Sequence, residues 1–117
     1  MSKQLGQEYE QRAETFLQKQ GIKIIARNFY CKGGELDLVG LDQACLVFIE
    51  VKYRQNPRFG HPTEFVSAQK QQRLYHCAQN FLLKHPKFQS LTMRFDVLSF
   101  LSSQPQPDWT KNAFGGW

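Results

Sequence analysis

The chain contains no apolar run approaching the roughly 20 residues that a membrane-spanning helix requires, and its polar start, Met1 to Glu10, lacks the apolar segment of a secretory leader. Cysteine is scarce. Cys31, Cys45 and Cys77 include no C-x-x-C pair, and His61, His76 and His85 include no H-x-x-x-H step, so a closed structural zinc site has no support. An odd cysteine count without scaffold spacing predicts free thiols in a reducing compartment, with the cytoplasm as the default and no membrane partner. Internal repeats and long low-complexity tracts are also missing. Acidic residues are nearly absent from one segment: between Val51 and Phe95 Glu64 stands alone against Lys52, Arg54, Arg58, Lys70, Arg73, Lys84, Lys87 and Arg94. Positive charge concentrated in this way is the electrostatic footprint of a phosphate-backbone binder, the plain alternative being a solubilising basic surface.

At 117 residues, 41% hydrophobic and 14% aromatic, the chain has the size and composition of one globular domain with one core. Gln4 to Gln20 predicts an amphipathic helix, with Leu5, Tyr9, Ala13, Phe16 and Leu17 on one stripe and Gly21 as terminator. Ile22 to Tyr30 predicts a strand, Cys31 to Gly34 a turn, and Tyr53 to Pro62 an irregular polar loop. A second helix is expected from Ser67, a good N-cap, to about Lys84, with Leu74, Cys77, Ala78, Phe81 and Leu82 buried. Leu91 to Leu101 predicts the last strand. The body of the domain is thus placed at residues 1–101, followed by a polar, proline-containing tail at 102–117 whose Trp109, Phe114 and Trp117 dock on the body or on a partner. This order of elements indicates an α/β sheet flanked by helices, with a parallel pairing across the second helix.

The chemistry concentrates in two apolar strands, Gly34 to Gly40 and Cys45 to Lys52, which carry Asp37, Glu50 and Lys52. The short link around Asp42 suits a hairpin. With the turn centred between Asp42 and Gln43, Asp37 pairs with Phe48 and Glu50 lies diagonally across from Asp37, while Glu35, Asp37 and Val39 share one side of their strand. Two carboxylates that close repel unless a cation is shared between them. Oxygen ligands favour Mg²⁺ or Mn²⁺. The alternative is a salt-bridged strand pair at a solvent-facing sheet edge. Lys70, one turn before Leu74, points toward the core side and must snorkel out or meet an acid, either Glu50 or a bound phosphate. Arg54 and Arg58 are natural phosphate contacts or merely solvated, and Arg73 lies off the buried stripe, facing solvent or a nucleic-acid backbone. Glu10, just beside the first helix's stripe, reads on its own as a solvated glutamate.

These residues also carry a resemblance. The pattern Gly6-x-x-x-Glu10-x-x-Ala13, Arg27-Asn28, Gly34-Glu35-Leu36-Asp37-Leu38, Val47-Phe48-Ile49-Glu50-Val51-Lys52-x-Arg54 and Phe59-Gly60, continuing through Lys70, Arg94-Phe95-Asp96-Val97 and Asn112-Ala113-Phe114, resembles the YraN-type bacterial family across nearly the whole chain. That family is similar in core to the PD-(D/E)XK nucleases and the archaeal Holliday junction resolvases. The resemblance implies a restriction-endonuclease-like mixed sheet flanked by helices, with Asp37 and Glu50 as the motif acids, Lys52 as the motif lysine and Glu10 as the acid from the first helix.

The expected function is a Mg²⁺- or Mn²⁺-dependent endonuclease acting on DNA, branched or structured DNA included, with Asp37, Glu50 and Lys52 catalytic and Glu10, Asp37 and Glu50 holding metal. Arg54, Arg58, Lys70 and Arg73 would contact nucleic acid, and analogy with resolvases suggests a homodimer. Two other classes compete. One is a non-catalytic nucleic-acid-binding module that keeps the nuclease fold; the other is an adaptor that works through its aromatic tail.

Overall fold

Ala13 and Leu17, one turn apart, are fully buried, and the partly buried Tyr9 and Phe16 complete the apolar stripe of helix α1, Lys3–Lys19. Gly21, at φ 92°, takes the left-handed conformation that turns the chain out of the helix. It leads into β1, Lys23–Cys31, followed by β2, Gly34–Asp42, and β3, Cys45–Arg54. Helix α2, Ala68–Lys84, starts at Ser67, whose hydroxyl accepts the Lys70 amide N–H at 3.1 Å. A single 3₁₀ turn, Pro86–Phe88, precedes β4, Thr92–Leu101, and β5 spans Asp108–Phe114. The computed structural model describes residues 3–54, 66–102 and 104–115. Tyr53 and Arg54, expected to open the irregular loop, instead end β3, and the rest of that loop, to Pro62, lies outside the described residues.

The five strands form one mixed sheet in the order β1-β2-β3-β4-β5. Among the described strands only β3 and β4 run parallel, joined through α2 as the strand-helix-strand order requires. The helices cover opposite faces. Leu38, Val47, Ile49, Val51, Leu98 and Phe100 pack with Ala13 and Leu17 of α1, whereas Leu36, Val39, Leu46, Phe48, Phe95 and Val97 pack with Leu74, Cys77, Ala78 and Phe81 of α2. Successive residues of β3 go alternately to the two clusters, which explains why this strand is apolar without interruption. Close approach sets Gly40: a Cβ there would stand 2.6 Å from the Ile22 side chain. No helix among the described residues is long and apolar enough to cross a membrane.

Two expectations fail. Leu91 to Leu101 does not hold the last strand: residues 108–114 form a fifth, hydrogen-bonded along β4, through which Trp109 and Phe114 pack on the body. The anchor of β5 is Asp96, whose fully buried carboxylate accepts from the Arg94 guanidinium at 2.9 Å, from Trp109 Nε1 at 2.9 Å and from the Asn112 amide N–H at 2.9 Å. Asn112 has φ 52°, and the β4–β5 register shifts between Phe95 and Val97. The short strand thus bulges around a buried acid that no local sequence rule anticipates. Nor are all thiols free. Cys31, ending β1, and Cys77, on the buried stripe of α2, form a disulfide with their Cα atoms 5.5 Å apart, leaving Cys45 as the free cysteine. Folding brings together residues 46 positions apart, a separation that carries no disulfide signature, and the expectation of a reducing compartment loses this support.

Replacing Asp96 leaves the Arg94 guanidinium with Asp42 alone and strips the Trp109 and Asn112 donors of their buried acceptor. Asp96→Ala is expected to destabilise the chain by about 3–5 kcal/mol, read as a lowered urea midpoint, and to remove the indole hydrogen bond of Trp109.

Candidate functional site

Period-two alternation breaks at Asp37. Leu36 packs on the α2 side and Leu38 on the α1 side although only two positions separate them, so Val39 falls on the side opposite Leu38 and strict sharing of one face by Glu35, Asp37 and Val39 does not hold. The hairpin register differs too. The turn residues are Gln43 and Ala44, with Gln43 at φ 55°, because Asp42 stays within β2, pairing with Cys45 and accepting from Arg94 at 3.0 Å. Phe48 consequently pairs with Val39, not Asp37, and the ladder stops at Leu38 and Ile49, one step before Asp37 would face Glu50. Where the ladder stops, the Asp37 side chain takes over: Oδ2 accepts the Val51 amide N–H at 2.9 Å.

The neighbouring strand is distorted at the same level. Asn28 lies in β1 between the pairs Arg27–Leu38 and Phe29–Leu36, at φ 50°. Asparagine tolerates the left-handed region better than other non-glycine residues. The distortion lets consecutive residues both reach α1. Asn28 Nδ2 donates to Glu10 Oε2 at 2.8 Å, and Arg27 Nε donates to Glu14 Oε2 at 2.7 Å, with a second contact from Arg27 Nη2 to Glu14 Oε1. Glu10 and Glu14 are one helical turn apart, so an ion pair between the exposed Arg27 and the buried Glu14, with an amide hydrogen bond beside it, fixes the rotation of α1 over the sheet.

Glu10 is thereby brought to β2. Glu10, Glu35 and Asp37 each offer a carboxylate oxygen within 4.8 Å of the other two. Glu50 is not one of the three: it is buried, and its Oε1 lies 2.6 Å from Lys70 Nζ. Its charge still acts on Asp37 and Glu10. Lys52 is half-buried two residues beyond Glu50, beside Ser99 in the parallel ladder. Arg73 is exposed on α2. Arg58 and the Arg54 side chain lie outside the described residues.

Glu35 was not singled out from sequence, although it stands two positions before Asp37 on the same strand. Asn28 and Glu14 were missed as well. The Arg27-Asn28 pair was visible as a motif, but its role depends on a strand conformation that period-two reasoning cannot supply.

Burial, foremost, and then the Glu50 charge push the Asp37 carboxyl up to about 9, with Glu10 and Glu35 adding to the rise and the Val51 N–H opposing it. Burial also raises Glu10, against the Asn28 hydrogen bond, with help from Glu35 and Glu50. The folded chain therefore holds the Asp37 proton more tightly than the unfolded chain, whose ordinary value is 3.8. This contribution to stability is complete below that value and is lost progressively as pH rises toward about 9. Urea midpoints between pH 5 and 8.5 are expected to fall more steeply for the native chain than for Asp37→Asn, and added Mn²⁺ is expected to reverse the alkaline loss in the native chain alone.

Comparison with known proteins adds a family. The sequence model of the Uncharacterised protein family UPF0102 matches residues 9–100. A UPF0102 protein of Pseudomonas fluorescens is 41% identical over 111 residues, covering 95% of this chain and 92% of its own length. One from Alcanivorax borkumensis is 42% identical, covering 96% of this chain and 92% of its own length, and one from Klebsiella pneumoniae is 42% identical, covering 98% and 89%. With the family model matching most of the chain and relatives above 40% identity covering nearly all of it, the chain belongs to the Uncharacterised protein family UPF0102.

Proposed function

We propose that this chain is a metal-dependent phosphodiesterase of nucleic acids, DNA foremost, built on a restriction-endonuclease-like core of the PD-(D/E)XK kind. The observation that carries the reading is the meeting of Glu10, Glu35 and Asp37 within 4.8 Å. Three carboxylates so close, one with its pKa pushed far up, form an arrangement that a divalent cation relieves and that a folded protein otherwise maintains at a cost. The donor set fits a hard ion: all oxygen, with neither thiolate nor imidazole in the group.

Glu10, Glu35 and Asp37 would hold Mg²⁺ or Mn²⁺, with Glu50 joining when Lys70 shifts to a phosphate oxygen. When bound, such an ion polarises the scissile phosphate and lowers the pKa of an attacking water. Lys52 orients that water or neutralises charge growing on the phosphate oxygens. Lys70 already holds one carboxylate of the site, so its ammonium is positioned to exchange that partner for substrate. Asn28 keeps the Glu10 carboxylate turned inward.

One observation favours a second reading. The Lys70–Glu50 pair neutralises the motif glutamate from within the chain, as a site that has given up metal would do. A non-catalytic nucleic-acid-binding module predicts salt-sensitive DNA binding that persists without divalent metal and survives Glu50→Gln. The two readings separate by titration calorimetry and by nicking of supercoiled DNA. Mn²⁺ binding is expected in the native chain and at least tenfold weaker in Asp37→Asn, and Mg²⁺- or Mn²⁺-dependent nicking is expected to vanish in Asp37→Asn and Lys52→Ala. Equal nicking by all three proteins would trace the activity to a contaminant and overturn the nuclease reading.

A further inference from the structure

β1 is an edge strand, and beside it the C-terminal half of α2 leaves a hollow of about 470 Å³. This is within the range of clefts that hold small molecules or single nucleotides. Two large apolar side chains are conspicuously exposed among the described residues, Tyr30 at 70% and Leu83 at 73%, and both line this hollow. Phe29 lines it too. Two cations complete the lining: the exposed Lys32 and Lys84, the latter with Nζ 5.4 Å from the Phe29 ring centroid. Asn80 adds an amide with both donor and acceptor, and the acid at the hollow's border is Glu35, to which the Tyr30 hydroxyl is hydrogen-bonded.

An exposed aromatic ring, an apolar floor, two lysines and an amide are the parts from which proteins build sites for single-stranded nucleic acid: a ring on which a base stacks, and cations that track the phosphates. A paired base inside a duplex cannot offer its face to such a ring. The hollow is also tied to the acids, because Tyr30 lies directly across the β1–β2 ladder from Glu35. A strand running through it would therefore deliver the adjoining phosphate toward Glu10, Glu35 and Asp37.

We infer that this hollow is a subsite for an unpaired nucleotide, its base stacked on Tyr30 and its phosphates met by Lys32 and Lys84. The consequence for substrate class, which rests on the nuclease reading, is that the chain acts where a strand leaves a duplex, at a flap, gap or branch, in preference to continuous double helix. Binding itself does not depend on that reading.

The test is fluorescence anisotropy in excess EDTA with a labelled oligothymidylate, a flapped duplex and a continuous duplex, alongside Mn²⁺ calorimetry on each protein. The single strand and the flap are expected to bind more tightly than the continuous duplex. Tyr30→Ala is expected to weaken single-strand binding roughly 5- to 150-fold, the worth of one stacked base, while Tyr30→Phe, which keeps the ring, retains it. Lys32→Gln and Lys84→Gln should each lower the salt slope by about 0.7. Unchanged affinity in Tyr30→Ala, equal binding of the continuous duplex, or no nucleic-acid binding by the native chain would overturn the inference. Tyr30-dependent binding by a chain that takes up no Mn²⁺ would uphold the subsite and sink the nuclease reading, whereas Mn²⁺ uptake with a Tyr30→Ala variant that binds DNA normally would do the reverse.

Discussion

Asp37 is the constraint around which this molecule is arranged. Its carboxyl is withdrawn from water among Glu10, Glu35 and Glu50, and each neighbour makes its ionisation harder. A charge in that position requires compensation, and the local structure supplies part of it. The β2–β3 ladder stops so that the Val51 amide can bond the carboxylate, Asn28 adopts a left-handed backbone so that its amide can bond Glu10, and Lys70 reaches from α2 to occupy Glu50. Distortions of this kind are uncommon in the middle of regular strands, and here two occur at the same level of adjacent strands. They fall where strained or irregular backbone is most often functional.

Much of the architecture was legible because burial writes a periodic signal. The α1 and α2 stripes, the uninterrupted apolar run of β3 and the N-cap at Ser67 appear where the spacing places them, and the parallel β3–β4 pair follows from the helix between them. Lys70 meeting an acid followed from its place above Leu74. What period-two reasoning could not supply is where that period fails. Leu36 and Leu38 face opposite sides because the strand slips at Asp37, and a turn shifted by one residue moves the cross-strand partner of Phe48 by two. Glu35 joins the acids as a result.

β5 was hidden for a different reason. Its residues are half-buried or exposed, so no alternation marks it, and its cohesion comes from the single carboxylate of Asp96 gathering Arg94, Trp109 and the Asn112 amide. Long-range polar anchors of this sort leave no trace in local spacing. The Cys31–Cys77 bond is equally silent, being set by tertiary proximity alone.

That bond also has a mechanical side. Cys77 lies near the middle of α2, with Lys70 in one end of the helix and Leu83 and Lys84 in the other. A helix of 17 residues is a stiff rod of roughly 25 Å, and with Leu74, Ala78 and Phe81 buried on either side of Cys77 this one is fastened along its length. Lys70 at one extremity and the Leu83–Lys84 hollow at the other are thereby held at a set spacing across the sheet.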